Sequence, residues 1–453
     1  MSTLSKLKTL IPFNELERKA QEQIYNALKL PFLKTLAVMP DCHMGYTLPI
    51  GAVALLDEII WPAAVGSDIA CGMCCCILKD IPARAIEKQK TKDNIFKRIL
   101  ATIPVGLGVQ HEVGVPYEEF KSASGNNKLN DAVNSNLHFQ LGTLGASNHF
   151  IEIGRSREHD CVGVTIHSGS RRLGYEIADF HIREALSADP DLPRGFLHLD
   201  SEAGKAYHAD LLFAQQYALD NRKHMMERLL YIILEEYKEA GKDKRFDMRV
   251  RKYMAEMINE NHNHAIVTPD GVLHRKGATP ADKGQLGVIP ANMKDGVWIT
   301  EGLGNEEFLS SSSHGAGRRM SRGDAKRRFD VESHKKQMVG ITCNVDNGTL
   351  DEDPRAYKDI NRVMELQESI VVRTVDHLAP LIVAKGSEKT EKKPIYRCAV
   401  CNKTMVNKHG EKLCEIVVDD GLLGKLGYSK AGETSKRLVT FAFCGKCYKE
   451  ASQ

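Results

Sequence analysis

The stretch CVGVTIHSG, Cys161–Gly169, is an apolar run of strand length that stops on a glycine turn. Three other runs are also short and strand-like: GAVALL, CCCILKD and HFIEIG. None of the four is followed by a regular crossover helix, so a doubly wound parallel sheet is disfavoured. The expectation is an α+β fold, a large mixed body of β-sheets flanked by helices. One long helix is expected over 204–240, where Leu211, Ala214, Ala218, Met225, Leu229 and Ile232 recur near the helical period. A second is expected over 354–380, with Pro354 in its first turn and Ile360, Val363, Leu366, Ile370 and Val371 in period.

The chain has 453 residues, enough for several average domains or one large one with an appendage. Its net charge of +3 is too small to imply a nucleic-acid partner, so local clusters must carry that argument. No apolar run reaches the length of a membrane span, and MSTLSKLKTL lacks a signal-peptide core, which makes the cytoplasm the expected location. The polar stretch KGSEKTEKKP, Lys385–Pro394, reads as a linker. It divides a body, 1–386, from a tail, 395–453, with 387–394 between them. The twelve cysteines are clumped, as expected of reduced thiols and metal rather than a disulfide framework.

Histidine, cysteine and aspartate recur where the strand-like runs end in glycine turns. Asp41, His43, Asp68, Cys71, Asn148, His149, Glu152, His167, Arg171, His262, His264, His314 and Arg318 all sit in such places. Any one histidine beside a glycine is more often a hydrogen-bonded turn residue than a ligand. Together the mixed nitrogen, sulfur and oxygen donors suit zinc, manganese, iron or cobalt better than magnesium or calcium. In SSSSHGAGRRMSR, Ser310–Arg322, two readings stay open. The stretch is a serine-capped helix start, or it is a phosphate cradle with His314 as a nucleophile and Arg318 as a forked phosphate contact. The basic run from Arg318 to Arg328 is either a solvated face or a contact for a phosphate backbone.

Several of these segments, in order, resemble the signatures of the RtcB family of RNA-splicing ligases. They are MPDCHMG, PAAVGSDIACGM, QLGTLGASNHFIEIG, HSGSRRLG, HNHA, SHGAGRRMSR, DEDPRAYKDI and PLIVAKG, spread over roughly 35–386. The resemblance implies a GTP- and manganese-dependent enzyme joining an RNA 3′-phosphate or 2′,3′-cyclic phosphate to a 5′-hydroxyl, in RNA repair or tRNA splicing. It implies two manganese ions per site, one held by Asp68, Cys71 and His149, the other by Cys71, His167 and His262. His314 is then the residue that takes GMP. Asn148, Glu152, Arg318, Tyr357 and Lys385 are expected at the nucleotide, and Arg171 and Arg322 at RNA phosphates. The chain departs from common family patterns at Tyr46, Thr47 and Pro49, and at PANMKDGVWI, which places Asn292 and Val297 near the expected guanine contacts.

The tail lies outside the resemblance. Its CAVC and CGKC knuckles, Cys398, Cys401, Cys444 and Cys447, read as a small four-cysteine zinc module. Two further enzyme readings remain at this stage, a dinuclear metallo-phosphoesterase and a nucleic-acid end-capping enzyme. A third, of another class, is a catalytically silent RNA-binding or sensing protein.

Overall fold

A computed structural model describes residues 3–187, 192–237 and 245–386, and four short strands beyond them. The chain divides into two units, Met1–Glu388 and Lys389–Gln453. In the second, Ile395–Arg397 pairs with Thr404–Val406, and Leu413–Val418 with Arg437–Ala442, both antiparallel. The linker 387–394 and the four knuckle cysteines lie outside the described residues.

The first unit is α+β. Its largest sheet runs, in spatial order, Leu286–Pro290, Val297–Gly302, Val372–Lys385, Phe150–Ser156, Cys161–Ser168, Gly72–Pro82 and Ile258–Asn261. Every neighbouring pair along that path is antiparallel, so no crossover helix is needed between them. Each of the four strand-like runs of the sequence falls on a strand, with His149 and Gly169 just outside. A second sheet joins Leu7–Thr9, Leu33–His43, Ile50–Leu56, Gly271–Lys276 and Asn263–Thr268.

The long helix spans Glu202–Glu236, and the Ser201 hydroxyl caps it by accepting from the Gly204 N–H. Met225, Leu229 and Ile232 pack into the core formed with the large sheet, while Leu211, Ala214 and Ala218 enter a second core. The expected helix over 354–380 does not form. Pro354–Ala356 is a single 3-10 turn, Ile360–Glu365 a short helix, and Val372–Lys385 a strand of 14 residues at the centre of the large sheet. Ile360 and Val363 do obey the helical period. The helix ends at the Leu366 cap, and Ser369, with φ of 62°, lies in the turn that leads into the strand. Val371, Val372, Thr374 and Val375 follow, and β-branched residues fit a pleated surface better than a helix. Pro380, which has no N–H to donate, sits where the pairing with Phe150–Ser156 shifts register.

Candidate active site and metal centre

The sheet register assembles one cluster. Phe150 is opposite His167, Met73 is opposite His167, and Gly72 is opposite both Ser168 and Asn261. His149, Cys71 and His262 therefore stand one residue beyond three neighbouring strands, around His167 at the end of another. His262 is also the single residue between Ile258–Asn261 in the large sheet and Asn263–Thr268 in the second. Two overlapping groups result: Asp68, Cys71 and His149, and Cys71, His167 and His262, with ligand atoms within 4.8 Å of one another in each. Cys71 Sγ is 3.4 Å from His149 Nε2 and 3.1 Å from His167 Nε2. His167 Nε2 is 3.3 Å from His262 Nε2, and Asp68 Oδ2 is 3.1 Å from His149 Nε2.

The donor chemistry suits a divalent metal of borderline softness. His149 Nδ1 is bonded to the Leu144 carbonyl at 2.9 Å and His167 Nδ1 to the Asn148 carbonyl at 3.1 Å. Each second nitrogen is thereby fixed as a donor, leaving Nε2 as the ligand atom. Burial holds the pKa of His167 and His262 well below the ordinary histidine range, which favours the neutral, ligating imidazole. Burial and the neighbouring Asp68 push the Cys71 thiol up, so its thiolate calls for a cation beside it.

Arg222 locks this arrangement from behind. Its guanidinium donates to the carbonyls of Ala70 and Ser168 and to the side chains of Asn259 and Asn261, at 2.6–3.0 Å. Those partners flank Cys71, His167 and His262. Sequence reasoning did not single out Arg222, although a signal existed. It falls one turn after Ala218 and three residues before Met225, on the apolar stripe of the long helix, where an unpaired cation is costly.

His314 lies beside the cluster, its ring centre 4.9 Å from that of His262. Its Nδ1 is 2.6 Å from Oδ2 of the fully buried Asp41, which also accepts the His314 backbone N–H. The glycine turn is tied down at two points. The Ala316 N–H donates to the Pro290 carbonyl at 2.9 Å. Gly317, at φ of 74°, packs so closely that a Cβ there would lie 2.2 Å from the Asp41 carbonyl oxygen. The turn therefore seats His314 against Asp41.

A cavity of about 1040 Å³ opens in front of His314. Asn148, Glu152, His167, Arg318, Arg322, Tyr357 and Lys385 also line it, and arginines and lysines outnumber carboxylates along its wall. Behind the wall is Glu352, 2% exposed. It accepts from Tyr357 Oη at 2.6 Å, from Arg322 Nη1 at 2.6 Å, from Arg318 Nη1 at 3.3 Å and from Lys385 Nζ. Burial raises a carboxyl, but Lys385, Arg322 and Arg318 outweigh it and hold Glu352 well below the usual range. Burial pushes Glu152 the other way, and its Oε1 has no hydrogen-bond partner. Two carboxyl groups in one site are thus driven apart in protonation. DEDP was legible as part of a motif, but nothing in it distinguished Glu352 from its neighbours.

Other candidates fall elsewhere. Arg171 is outside the cavity lining; its Nε donates to Thr143 and its charge faces Asp68. Arg322 lines the cavity but is committed to Asp351 and Glu352. Asn292 lines the cavity, whereas Val297 is fully buried in the core against Val288 and Leu378 and does not reach it. The alternation of a strand explains this, since Val297 points to the packed face. His264 is not a member of either ligand group and accepts from Arg275 at 3.2 Å.

Candidate metal ligands at the ends of strands of the large sheet, a histidine paired with a buried carboxylate from the second sheet, and a basic cavity in front of them define a class: enzymes that handle anionic groups with the help of bound metal. The chain belongs to the RtcB family, whose model, tRNA-splicing ligase RtcB, matches residues 23–386. It is 33% identical over 394 residues to an RNA-splicing ligase RtcB of Escherichia coli, covering 82% of this chain and 95% of that protein. It is 27% identical over 457 residues to a tRNA-splicing ligase RtcB of Methanococcus maripaludis, covering 83% and 93%. Among the described residues no helix is long and apolar enough to cross a membrane.

Proposed function

We propose that this chain is an RNA ligase that uses GTP and manganese to join 3′-phosphate or 2′,3′-cyclic phosphate ends to 5′-hydroxyl ends, with His314 carrying GMP. The observation that bears most weight is the pairing of His314 with Asp41 beside the shared-cysteine cluster. A carboxylate on Nδ1 keeps the proton there and leaves the Nε2 lone pair free to attack. Nε2 forms a bond to the α-phosphorus of GTP as the bond to pyrophosphate breaks. An oxygen of the RNA 3′-phosphate, either present from the start or formed when water opens the 2′,3′-cyclic phosphate and frees the 2′-hydroxyl, then takes the guanylyl group, which restores the imidazole. The 5′-hydroxyl oxygen finally attacks the RNA phosphorus, its proton is lost, and GMP departs.

Asp68, Cys71 and His149 would hold one manganese and Cys71, His167 and His262 the other; when bound, the pair supplies positive charge against the anionic phosphates. Asn148, Glu152, Arg318, Tyr357 and Lys385 are assigned to the nucleotide, supported by their shared cavity with His314. Arg171 is assigned to an RNA phosphate on the resemblance alone, since its guanidinium is outside the cavity lining and its Nε donates to Thr143. Incubation with manganese and α-labelled GTP should give an acid-labile label on the protein, and the same preparation should seal matched RNA ends. A protein that does neither is not a ligase.

Glu352 fixes four side chains of the nucleotide wall, so Glu352→Gln should act on binding more than on chemistry. Breaking a buried ion pair costs about 3–5 kcal/mol. The expected result is a KM for GTP raised by about tenfold or more, with a smaller change in the labelling rate at saturation. Equal KM values in the two proteins would remove Glu352 from this role.

For the tail, Cys398, Cys401, Cys444 and Cys447 are assigned one structural zinc on their paired spacing. Zinc analysis after mild chelation should find about one ion per chain, lost in Cys398→Ser and Cys444→Ser.

A further inference from the structure

The loop 44–49 joins the strands Leu33–His43 and Ile50–Leu56, and residues at both its ends, Met44 and Ile50, line the cavity. Its backbone is held at several points. The Met44 N–H donates to Glu17, Gly45 exchanges two hydrogen bonds with the Gln23 amide at 3.0 and 3.1 Å, and Thr47 Oγ1 donates to the Ala63 carbonyl at 3.0 Å. Leu48 is fully buried. The chain turns back so tightly that a Cβ on Gly45 would lie 2.2 Å from the Leu48 carbonyl oxygen. Tyr46 stands at the tip of this pinned turn, 86% exposed. A large aromatic ring in water gains nothing for folding, and a fixed loop cannot fold it away. Beside the loop, Arg18 and Lys19 begin the helix Arg18–Leu28 and line the same cavity wall.

Tyr46 itself is not among the lining residues, but it is two residues from Met44, which is, in a loop bonded to Glu17 and Gln23 on either side of Arg18 and Lys19. An exposed aromatic ring on a loop that ends at the wall of a basic cavity matches unpaired nucleotides on a phosphate backbone. We propose that Tyr46 is a stacking platform for a base near the reacting end of single-stranded RNA, with Arg18 and Lys19 facing the adjoining phosphates. This rests on the ligase reading and adds the surface that receives its RNA. Both reacting strands share the same chemistry, one ending in a 3′-phosphate and the other in a 5′-hydroxyl, so each is a separate arm of the test.

The measurement is fluorescence anisotropy of the full-length protein with each labelled strand, without GTP. Tyr46→Ala should weaken binding of one strand by about tenfold or more, and Tyr46→Trp should bind as the native protein does. Abasic nucleotides near the end of that strand should weaken the native protein to the same degree and Tyr46→Ala no further. Labelling by GTP should be the same in all three proteins. Unchanged affinity of Tyr46→Ala for both strands, equal abasic losses in native and variant, or no binding of either strand by the native protein would each overturn the platform. A native protein that binds RNA through Tyr46 yet neither labels nor seals would overturn the ligase reading alone.

Discussion

His314→Ala should lose the covalent GMP label by more than about 10⁴-fold, yet seal an RNA whose 3′ end already carries GMP within about tenfold of the native rate. The two readouts separate because only the first step needs a nucleophile on the protein. Once the guanylyl group is on the RNA, the remaining attack is by the 5′-hydroxyl, and the imidazole forms no bond. Asp41→Asn is the informative companion. The amide can donate to Nδ1 and move the ring proton to Nε2, the wrong tautomer for attack, so labelling should fall by about 100-fold or more. Sealing of the pre-capped RNA should again survive. A stable GMP adduct on His314→Ala would place the nucleophile elsewhere, with the preceding serines or Lys385 the first residues to test.

Cys71→Ser should empty both ligand groups at once, because its sulfur is the one atom common to them. Manganese affinity should fall by more than about 100-fold at both positions, since even removing an outer partner of a ligand costs 10–100-fold. Labelling and sealing of pre-capped RNA should both be lost, unlike the pattern for His314→Ala. The fold should persist. Arg222 still ties the backbone around position 71, and a buried, poorly paired hydroxyl costs only about 1–3 kcal/mol. Measured manganese stoichiometry beside far-ultraviolet circular dichroism reads both halves. A variant that keeps one ion per site would show that Cys71 serves only one group.

Legibility from sequence varied with how local each signal was. The strands around Cys161–Gly169 were readable because each carries a short apolar run, two of them, HFIEIG and CVGVTIHSG, ending on glycine. The long helix was readable because its stripe persists over many turns. Val372–Lys385 was misread because Ile360 and Val363 start a true helical period that stops at the Leu366 cap, and the chain then passes through the left-handed Ser369 into the strand. The glycine turn was left open between a serine-capped helix start and an anion cradle, because the close fit of Gly317 against Asp41, 276 residues earlier in the chain, leaves no mark in local composition. Glu352 was missed for a related reason. Its importance comes from Arg318, Arg322, Tyr357 and Lys385 converging on it, and convergence is a property of packing rather than of spacing.

The placement of the ligands at the ends of neighbouring strands has a consequence for how the chain is proofread as it folds. Facing side chains alternate along a strand, so a slip of one residue between Cys161–Ser168 and either partner would turn His167 to the opposite face. Cys71 and His149 would lose their common neighbour in the same event. A mis-zipped molecule is therefore silent, since no partial slip leaves a weakened but working centre. The fraction of a preparation that accepts one label per chain would then be a census of correctly zipped sheets.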